Sequence, residues 1–463
     1  MANFVVSAHM TKGDVLPFLR FSAALKKRGH RVTLVTHGAF GPLAHKAGIE
    51  FRELDPPEQY KQIMKDLYML ENPLTKPDLY AKYEEIYYAQ DKLQKEYDIL
   101  SELCQAPDSV LICREMSGFI AMMVSEKLGV PIIAGFLAPS YVTQLQTWAD
   151  LSFDFSISLI NRFREHNGLA PVKDWLSWAK AIQTNIGFWP EEYASREPEW
   201  GFDVEPVGFP LADEAELEPL PESLVTFLES GEPPLLITGG TGKLLKSNFY
   251  EVCVEACRLT GQRAIIVTQH EELLPAELPD NMQWYSVLPL AAVYPLLGSI
   301  IHHGGIGTVS GSMAGGVPQL ALAADTDRPD NGKRVKNLGL GEYLPPALWE
   351  PHLIADALKR IASPHVKERC MQMKEIMHNH DTMEYACGVA ERIVGQKSFA
   401  ISSERLALDY AAAASEMTAM SQTAATAESE TVNRIMQSSA EQRAKLIQQL
   451  LRKRKELAGV QDE

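Results

Sequence analysis

The stretch Ile300-Ile301-His302-His303-Gly304-Gly305-Ile306-Gly307-Thr308 decides the fold. A β-branched strand ends in two histidines, and a glycine-rich turn then opens a helical pattern over residues 307–314. Glycines let backbone N–H groups approach a ligand closely, and a helix N-terminus adds positive potential. Such a joint suits a diphosphate. Thr308 can add a hydroxyl and His303 a ring N–H. The same joint also occurs purely for close packing, so its surroundings must decide.

Outward from this joint, apolar runs alternate with helical patterns. The second half reads as strands at 235–238, 264–268 and 300–302, with a helix at 247–259 between the first two. The first half reads as strands at 4–8, 31–36, 110–113 and 131–136, with helices at 14–28 and 118–128. Strand–helix–strand alternation predicts parallel sheets covered by helices on both faces. Between the halves lie the acidic, proline-punctuated segment Leu211 to Glu222 and Gly231-Glu232-Pro233-Pro234, a domain boundary. The reading is an α/β protein of two Rossmann-like domains facing across a cleft, residues 1–212 and 220–380. A helix at 381–398 returns toward the first domain, and a linker with an amphipathic helix fills 399–463. Seven tyrosines at 60, 68, 80, 83, 87, 88 and 97 mark one or two helices that either wall a pocket or pack.

Composition narrows the function. The 463 residues are 46% hydrophobic and 22% charged, which excludes a disordered or collagen-like chain. With 44 Lys+Arg against 60 Asp+Glu the net charge is -16, a field that opposes nucleic-acid binding. Six cysteines form no disulfide framework, and neither Cys253 with Cys257 nor His378 with His380 has partners for a metal site. Glu191-Glu192 reads as a solvated loop. The N-terminus runs straight into a strand, with neither a leader pattern nor an apolar run of membrane-spanning length, so the expected location is the cytoplasm. The first strand is followed by His9-Met10-Thr11-Lys12-Gly13-Asp14 rather than a dinucleotide glycine fingerprint.

The run 300–341, with Gly315-Gly316-Val317-Pro318-Gln319-Leu320 and Asp327-Arg328-Pro329-Asp330-Asn331 behind the histidines, resembles the nucleotide-sugar signature of the family 1 and 28 glycosyltransferases, which have the GT-B fold. Within that group it is most similar to the rhamnolipid rhamnosyltransferase subunit and to the antibiotic and sterol glycosyltransferases. Gly13-Asp14-Val15-Leu16-Pro17, Val207-Gly208-Phe209-Pro210, residues 238–241 and residues 286–295 extend the resemblance. It implies that His303, Gly305, Gly307, Thr308, Gly240 and Thr241 hold the donor diphosphate. Leu288 meets the base with its backbone, and Trp284 either stacks on the base or packs. Asp327 holds sugar hydroxyls. Many relatives follow this aspartate with glutamine, whereas here Arg328 follows, a fork suited to phosphate or to an acidic sugar. Asp14 is implied as the general base; as an alternative its place before residues 15–27 reads as a helix cap. His9, Tyr141, Leu145 and Trp148 are expected at the acceptor pocket.

The function expected is an inverting, metal-independent glycosyltransferase. It would move a hexose from a dTDP- or UDP-sugar to a hydroxyl of a hydrophobic lipid or natural product, with the nucleotide sugar as co-substrate and no cofactor. A nucleotide-sugar epimerase and a catalytically silent scaffold are the alternatives; the Gly-Asp-x-x-Pro motif speaks against the first, and Asp14, His303 and Asp327 against the second. Residues 438–458 read as a basic amphipathic helix that needs a surface, either its own globular body, an anionic membrane or, the reading preferred here, a protein partner.

Overall fold

The computed structural model describes the chain except residues 71–76, 116–117, 152–154, 213–218, 241–247, 397–410 and 412–463. The linker, the terminal amphipathic helix and Thr241 therefore lie outside the described residues, as does the side chain of Trp148. Two compact units result. The first, Met1–Tyr68, Asp91–Trp148 and Lys180–Ala400, holds both sheets.

The N-terminal sheet contains β1 (Asn3–Ser7), β2 (Arg31–Thr36), β3 (Glu50–Glu53), β4 (Ser109–Arg114), β5 (Ile132–Phe136), β6 (Thr184–Gly187) and β7 (Glu205–Pro206). Their order is β3-β2-β1-β4-β5-β6-β7, and every pair is parallel. The second sheet contains β8 (Leu235–Thr238), β9 (Ala264–Val267), β10 (Met282–Tyr285), β11 (Ser299–His302), β12 (Gln319–Leu322) and β13 (Gly341–Leu344). Its order, β10-β9-β8-β11-β12-β13, repeats the first and is again parallel throughout.

Helices cover both faces, so central strands are apolar at successive positions rather than alternating. In β8, Leu235 and Ile237 enter one core cluster while Leu236 enters another on the opposite face. The period-2 pleat sends successive side chains to opposite sides.

The helix Lys12–Lys27 lies against the N-terminal sheet through Phe18, Phe21 and Leu25, all fully buried. It starts at Lys12, two residues earlier than the sequence reading placed it. Thr11 is its N-cap, and Asp14 is the third helical residue. The alternative of Asp14 as the helix cap is thus corrected: Asp14 supplies the acidic half of a capping box, its carboxylate accepting from the Thr11 N–H. The last described helix, Thr382–Arg392, crosses back onto this one. Ala386, Cys387 and Ala390 join the same core, while Arg28 pairs with Glu384 and Glu391 and His30 meets Glu391 at 2.8 Å.

The carboxyl ends of the two sheets face each other. Tyr193 Oη donates to Asn331 Oδ1 at 2.9 Å, and Arg334 Nη2 pairs with Glu197 at 2.7 Å. Each contact joins a loop of the N-terminal sheet to the helix Arg328–Asn337 that follows β12.

The second unit includes Met69–Gln90 and Ala149–Ala179. In it the guanidinium of buried Arg164 lies 4.7 Å from the Trp178 ring and donates to the Ala170 carbonyl at 2.8 Å. The tyrosine-rich stretch forms three helices, Pro57–Asp66, Pro77–Tyr87 and Gln90–Leu103, where one or two were expected. All six cysteines are buried and unbridged, and burial raises their thiols, that of Cys104 to about 12.

Phe18 anchors the helix that carries Asp14, meeting Phe188 edge-on at 5.3 Å. Phe18→Ala is expected to cost about 3–5 kcal/mol, the range for emptying a buried phenylalanine site. Urea unfolding of the variant beside the wild type measures it.

Candidate active site

In open parallel sheets of this strand order, ligands bind at the carboxyl ends where the order reverses. The reversals fall between β1 and β4 and between β8 and β11. Of the residues singled out from sequence, Asp14 and His9 follow β1 at the first reversal, and Gly240 and His303 follow β8 and β11 at the second.

At the second reversal, two backbone clamps shape the turn after β11. Gly304 donates its N–H to His302 Nδ1 at 3.0 Å, and its carbonyl accepts from Asn331 Nδ2 at 3.0 Å. Gly304 has φ +86, and a Cβ there would come within 2.8 Å of the Arg328 carbonyl. His302 is buried, its Nε2 faces Gln319 Oε1 at 3.1 Å, and burial holds its pKa down at about 4. It is a structural imidazole.

His303 is the reverse case. Its ring slots between Gly240 and Gly305: a Cβ on either would sit 2.5–2.7 Å from its Nε2. These two glycines therefore make room for the imidazole. Burial first, then the charge of Arg328, push the His303 pKa well below its ordinary value against a hydrogen bond to the Thr238 backbone, so the ring stays neutral with a single N–H. Gly305 caps the helix Ile306–Gly315. Among the described residues, the N–H groups of Gly305, Ile306 and Gly307 have no acceptor. A Cβ at Gly307 would meet no protein atom within 4 Å, so packing does not demand glycine there. Three unclaimed backbone donors at the positive end of a helix dipole thus lie beside a neutral imidazole.

Asp327 is buried, with Oδ2 accepting from Asn331 at 2.8 Å and Oδ1 from Thr326 at 3.0 Å. Burial raises its pKa, against the opposing charge of Arg328. Leu288 is also buried, while Trp284 packs on the core with its Nε1 donating to the Thr268 carbonyl at 3.0 Å. Thr308 is half-buried on the first turn of the helix.

At the first reversal, Asp14 Oδ1 pairs with Arg114 at 3.0 Å, across the gap between the ends of β1 and β4. Its Oδ2 accepts from the Thr11 N–H at 2.9 Å and from the Thr11 hydroxyl at 2.7 Å. His9 follows β1, and its Nε2 meets Glu96 Oε1 at 2.9 Å. Ser7 Oγ donates to the same oxygen at 3.0 Å. Burial opposes charge on His9, but the charge and hydrogen bond of Glu96, with Asp55 behind, outweigh it and raise the imidazole pKa. Next to it His37 pairs with Asp55 at 2.6 Å and accepts the Met10 N–H at 3.0 Å. Tyr141 stands half-buried near this group, 5.7 Å from the Arg114 guanidinium, and Leu145 on the same helix, Pro139–Leu151, is buried.

Arg114, Glu96, His37, Asp55, Tyr193 and Asn331 had been given no role from sequence. A charged residue closing an apolar strand, as Arg114 closes 110–113, and the polar pair Thr36-His37 after a β-branched run were the available signals. Among the described residues no cluster of His, Cys, Asp and Glu could hold a metal ion, and no helix is long and apolar enough to cross a membrane.

With this geometry in view, comparison with known proteins is specific. Residues 4–147 match the model of the glycosyltransferase family 28 N-terminal domain. Residues 255–395 match that of the erythromycin biosynthesis protein CIII-like C-terminal domain. The chain is 26% identical over 417 residues, 82% of its length, to a sterol 3-beta-glucosyltransferase of Arabidopsis thaliana. It is 24% identical over 409 residues to the O-mycaminosyltylonolide 6-deoxyallosyltransferase of Streptomyces fradiae, covering 82% of this chain and 95% of that one. It spans only 66% and 62% of two Arabidopsis sterol glucosyltransferases. Among solved structures, the kitacinnamycin glycosyltransferase aligns with a TM-score of 0.66 at 19% identity, over 85% of this chain and 99% of that one. The fold is GT-B, and the chain belongs to the glycosyltransferases of the family 28 and EryCIII-like type, related to the sterol and antibiotic enzymes.

His303→Ala is expected to weaken UDP or dTDP binding about 10- to 100-fold, the weight of one hydrogen bond to a charged group. Titration calorimetry measures it; unchanged affinity would place the diphosphate elsewhere.

Proposed function

We propose that this chain transfers a hexose from a UDP- or dTDP-sugar to a hydroxyl of a lipophilic acceptor, with inversion at the anomeric carbon. One observation carries the reading: the three unclaimed N–H groups of residues 305–307, with His303 beside them, lie at the carboxyl end of β11, and Tyr141 of the N-terminal half feels the charge of both Asp327 and Asp14. The N–H groups are a site for a diphosphate leaving group, and the loop that carries Asp14 is a site for the attacking hydroxyl. A single displacement between them inverts the sugar carbon. Relatives named a sterol 3-beta-glucosyltransferase and an O-mycaminosyltylonolide 6-deoxyallosyltransferase support a lipophilic alcohol as acceptor.

The diphosphate carries growing negative charge as the glycosidic bond breaks. Helix dipole, backbone donors, His303 and Arg328 stabilise that charge in place of a divalent cation. Asp327, held by Asn331 and Thr326, presents its carboxylate to sugar hydroxyls. Arg328 begins the helix beside Asp327, and its charge is felt at both His303 and Asp327; we place it on the phosphate, because a guanidinium fork suits oxyanions.

The test is a matrix of UDP-glucose, dTDP-glucose and dTDP-rhamnose against sterol and macrolide alcohols, read by mass spectrometry. Transfer from at least one donor supports the reading; nucleotide binding without transfer in any combination would favour a silent homologue. Arg328→Gln is expected to weaken all donors alike. A change in the choice among sugars alone would assign the guanidinium to the sugar. EDTA is expected to leave the rate intact, and a strict requirement for a divalent metal would contradict the mechanism.

A further inference from the structure

Glycine weakens the interior of a helix, so a glycine there calls for a reason. The helix Ile306–Gly315 carries Gly311 and Gly315 beyond its first turn, and neither has a positive φ. Packing on Tyr294 supplies the reason. A Cβ at Gly315 would come within 2.8 Å of the Tyr294 Cβ, and one at Gly311 within 2.8 Å of its Cζ. The side chain thus lies lengthwise along the helix and points toward its N-terminus. That direction carries the phenol oxygen toward Thr308, three positions before Gly311 on the same face. Tyr294 is buried in a cluster whose other members are all apolar. Burial raises its pKa, against a hydrogen bond to the Thr308 side chain.

We propose that Tyr294 is a positioning residue for the donor diphosphate: its hydroxyl donates to Thr308 Oγ1 and so leaves the Thr308 hydrogen for a phosphate oxygen. The proposal rests on the reading above, in which the turn and first helical turn at 303–308 hold the diphosphate. A pair of hydroxyls can donate in either direction. The phenol is the more acidic of the two, and an anionic phosphate can only accept. With phosphate present the chain therefore runs one way, from Tyr294 to Thr308 to phosphate, and each bond polarises the next. A threonine in a helix can instead turn its hydroxyl back to the carbonyl four residues earlier, here that of Gly304. Tyr294 opposes that by holding Thr308 Oγ1 from the other side.

The origin of Tyr294 in the chain gives the contact a second consequence. Tyr294 opens the short turn Tyr294–Leu296, which directly follows the helix Leu290–Val293. Leu288, just before that helix, lies in the same core cluster as Tyr294. One short segment thus carries the residue assigned to the base and the phenol that steadies a phosphate donor. If Tyr294 served packing alone, disturbing it would affect base and diphosphate together. If it acts through Thr308, only the diphosphate contact responds to loss of the phenol oxygen.

The test uses the full chain and two probes: UDP or dTDP, whichever the wild type binds tighter, by titration calorimetry, and the matching nucleoside by competition against it. Tyr294→Phe keeps the ring in the glycine groove and removes only the oxygen. It is expected to weaken the diphosphate about 3- to 10-fold, the worth of one hydrogen bond, and to leave the nucleoside unchanged. Thr308→Val is expected to weaken the diphosphate by about 10-fold or more, and the double variant no further, because Tyr294 acts only through Thr308. Thr308→Ser keeps the hydroxyl pair and is expected to bind as the wild type does. Unchanged diphosphate affinity in Tyr294→Phe, an equal loss on the nucleoside, or additive losses in the double variant would each overturn the assignment. If Tyr294→Phe does not fold, a Thr308→Ser variant as weak as Thr308→Val overturns it independently. Binding of neither nucleotide by the wild type would sink the donor-site reading itself. Failure of the Tyr294 assignment alone leaves wild-type binding and its dependence on His303 intact.

Discussion

The backbone of Gly304 is gripped from both sides, and the donor half of the site hangs on that grip. His302 takes its N–H, and Asn331 gives a hydrogen bond to its carbonyl. Between these two bonds the chain turns from strand to helix in a conformation with φ +86 that a side chain would block. Because the turn is fixed, the His303 ring falls between Gly240 and Gly305, beside the N–H groups at the start of the next helix. Fixed donors need no reorganisation as charge develops, and this makes such an arrangement useful for a departing diphosphate.

Asn331 extends the same constraint across the molecule. It binds Asp327 and Gly304 in the second sheet and accepts from Tyr193, which belongs to the first. The position of the sugar-side carboxylate and the shape of the turn are thus linked to how the two sheets face each other. Arg334, bonded to Asp330 and Glu197, repeats the link one helical turn further on. The opposite half of the site is organised by ion pairs instead of backbone bonds: Asp14 with Arg114, His9 with Glu96, His37 with Asp55.

Local patterns exposed the first kind of organisation and hid the second. The strand–turn–helix joint at 300–308 is contiguous, so its apolar run and glycines could be read directly. The buried central strands were equally plain, since helices on both faces demand unbroken apolar runs. The edge strand β3, Glu50-Phe51-Arg52-Glu53, is polar and only partly covered, and gives no such run. Partners distant in sequence left no trace: Glu96 lies 87 residues from His9, and Asn331 lies 138 from Tyr193. Asp14 shows what this costs. Its motif placed it correctly at the carboxyl end of β1, but its role depends on Arg114, which only the fold brings to it. Leu145, apolar and near a tyrosine, carried no sign of whether it would face a ligand or the core.

Hydrogen exchange of the backbone amides tests the central claim most directly, because it reads the donors themselves. On addition of UDP or dTDP, the account predicts slowed exchange at Gly305, Ile306 and Gly307, the N–H groups that lack an acceptor in the protein alone. Unchanged exchange at these three residues under saturating nucleotide, with protection appearing elsewhere, would contradict it.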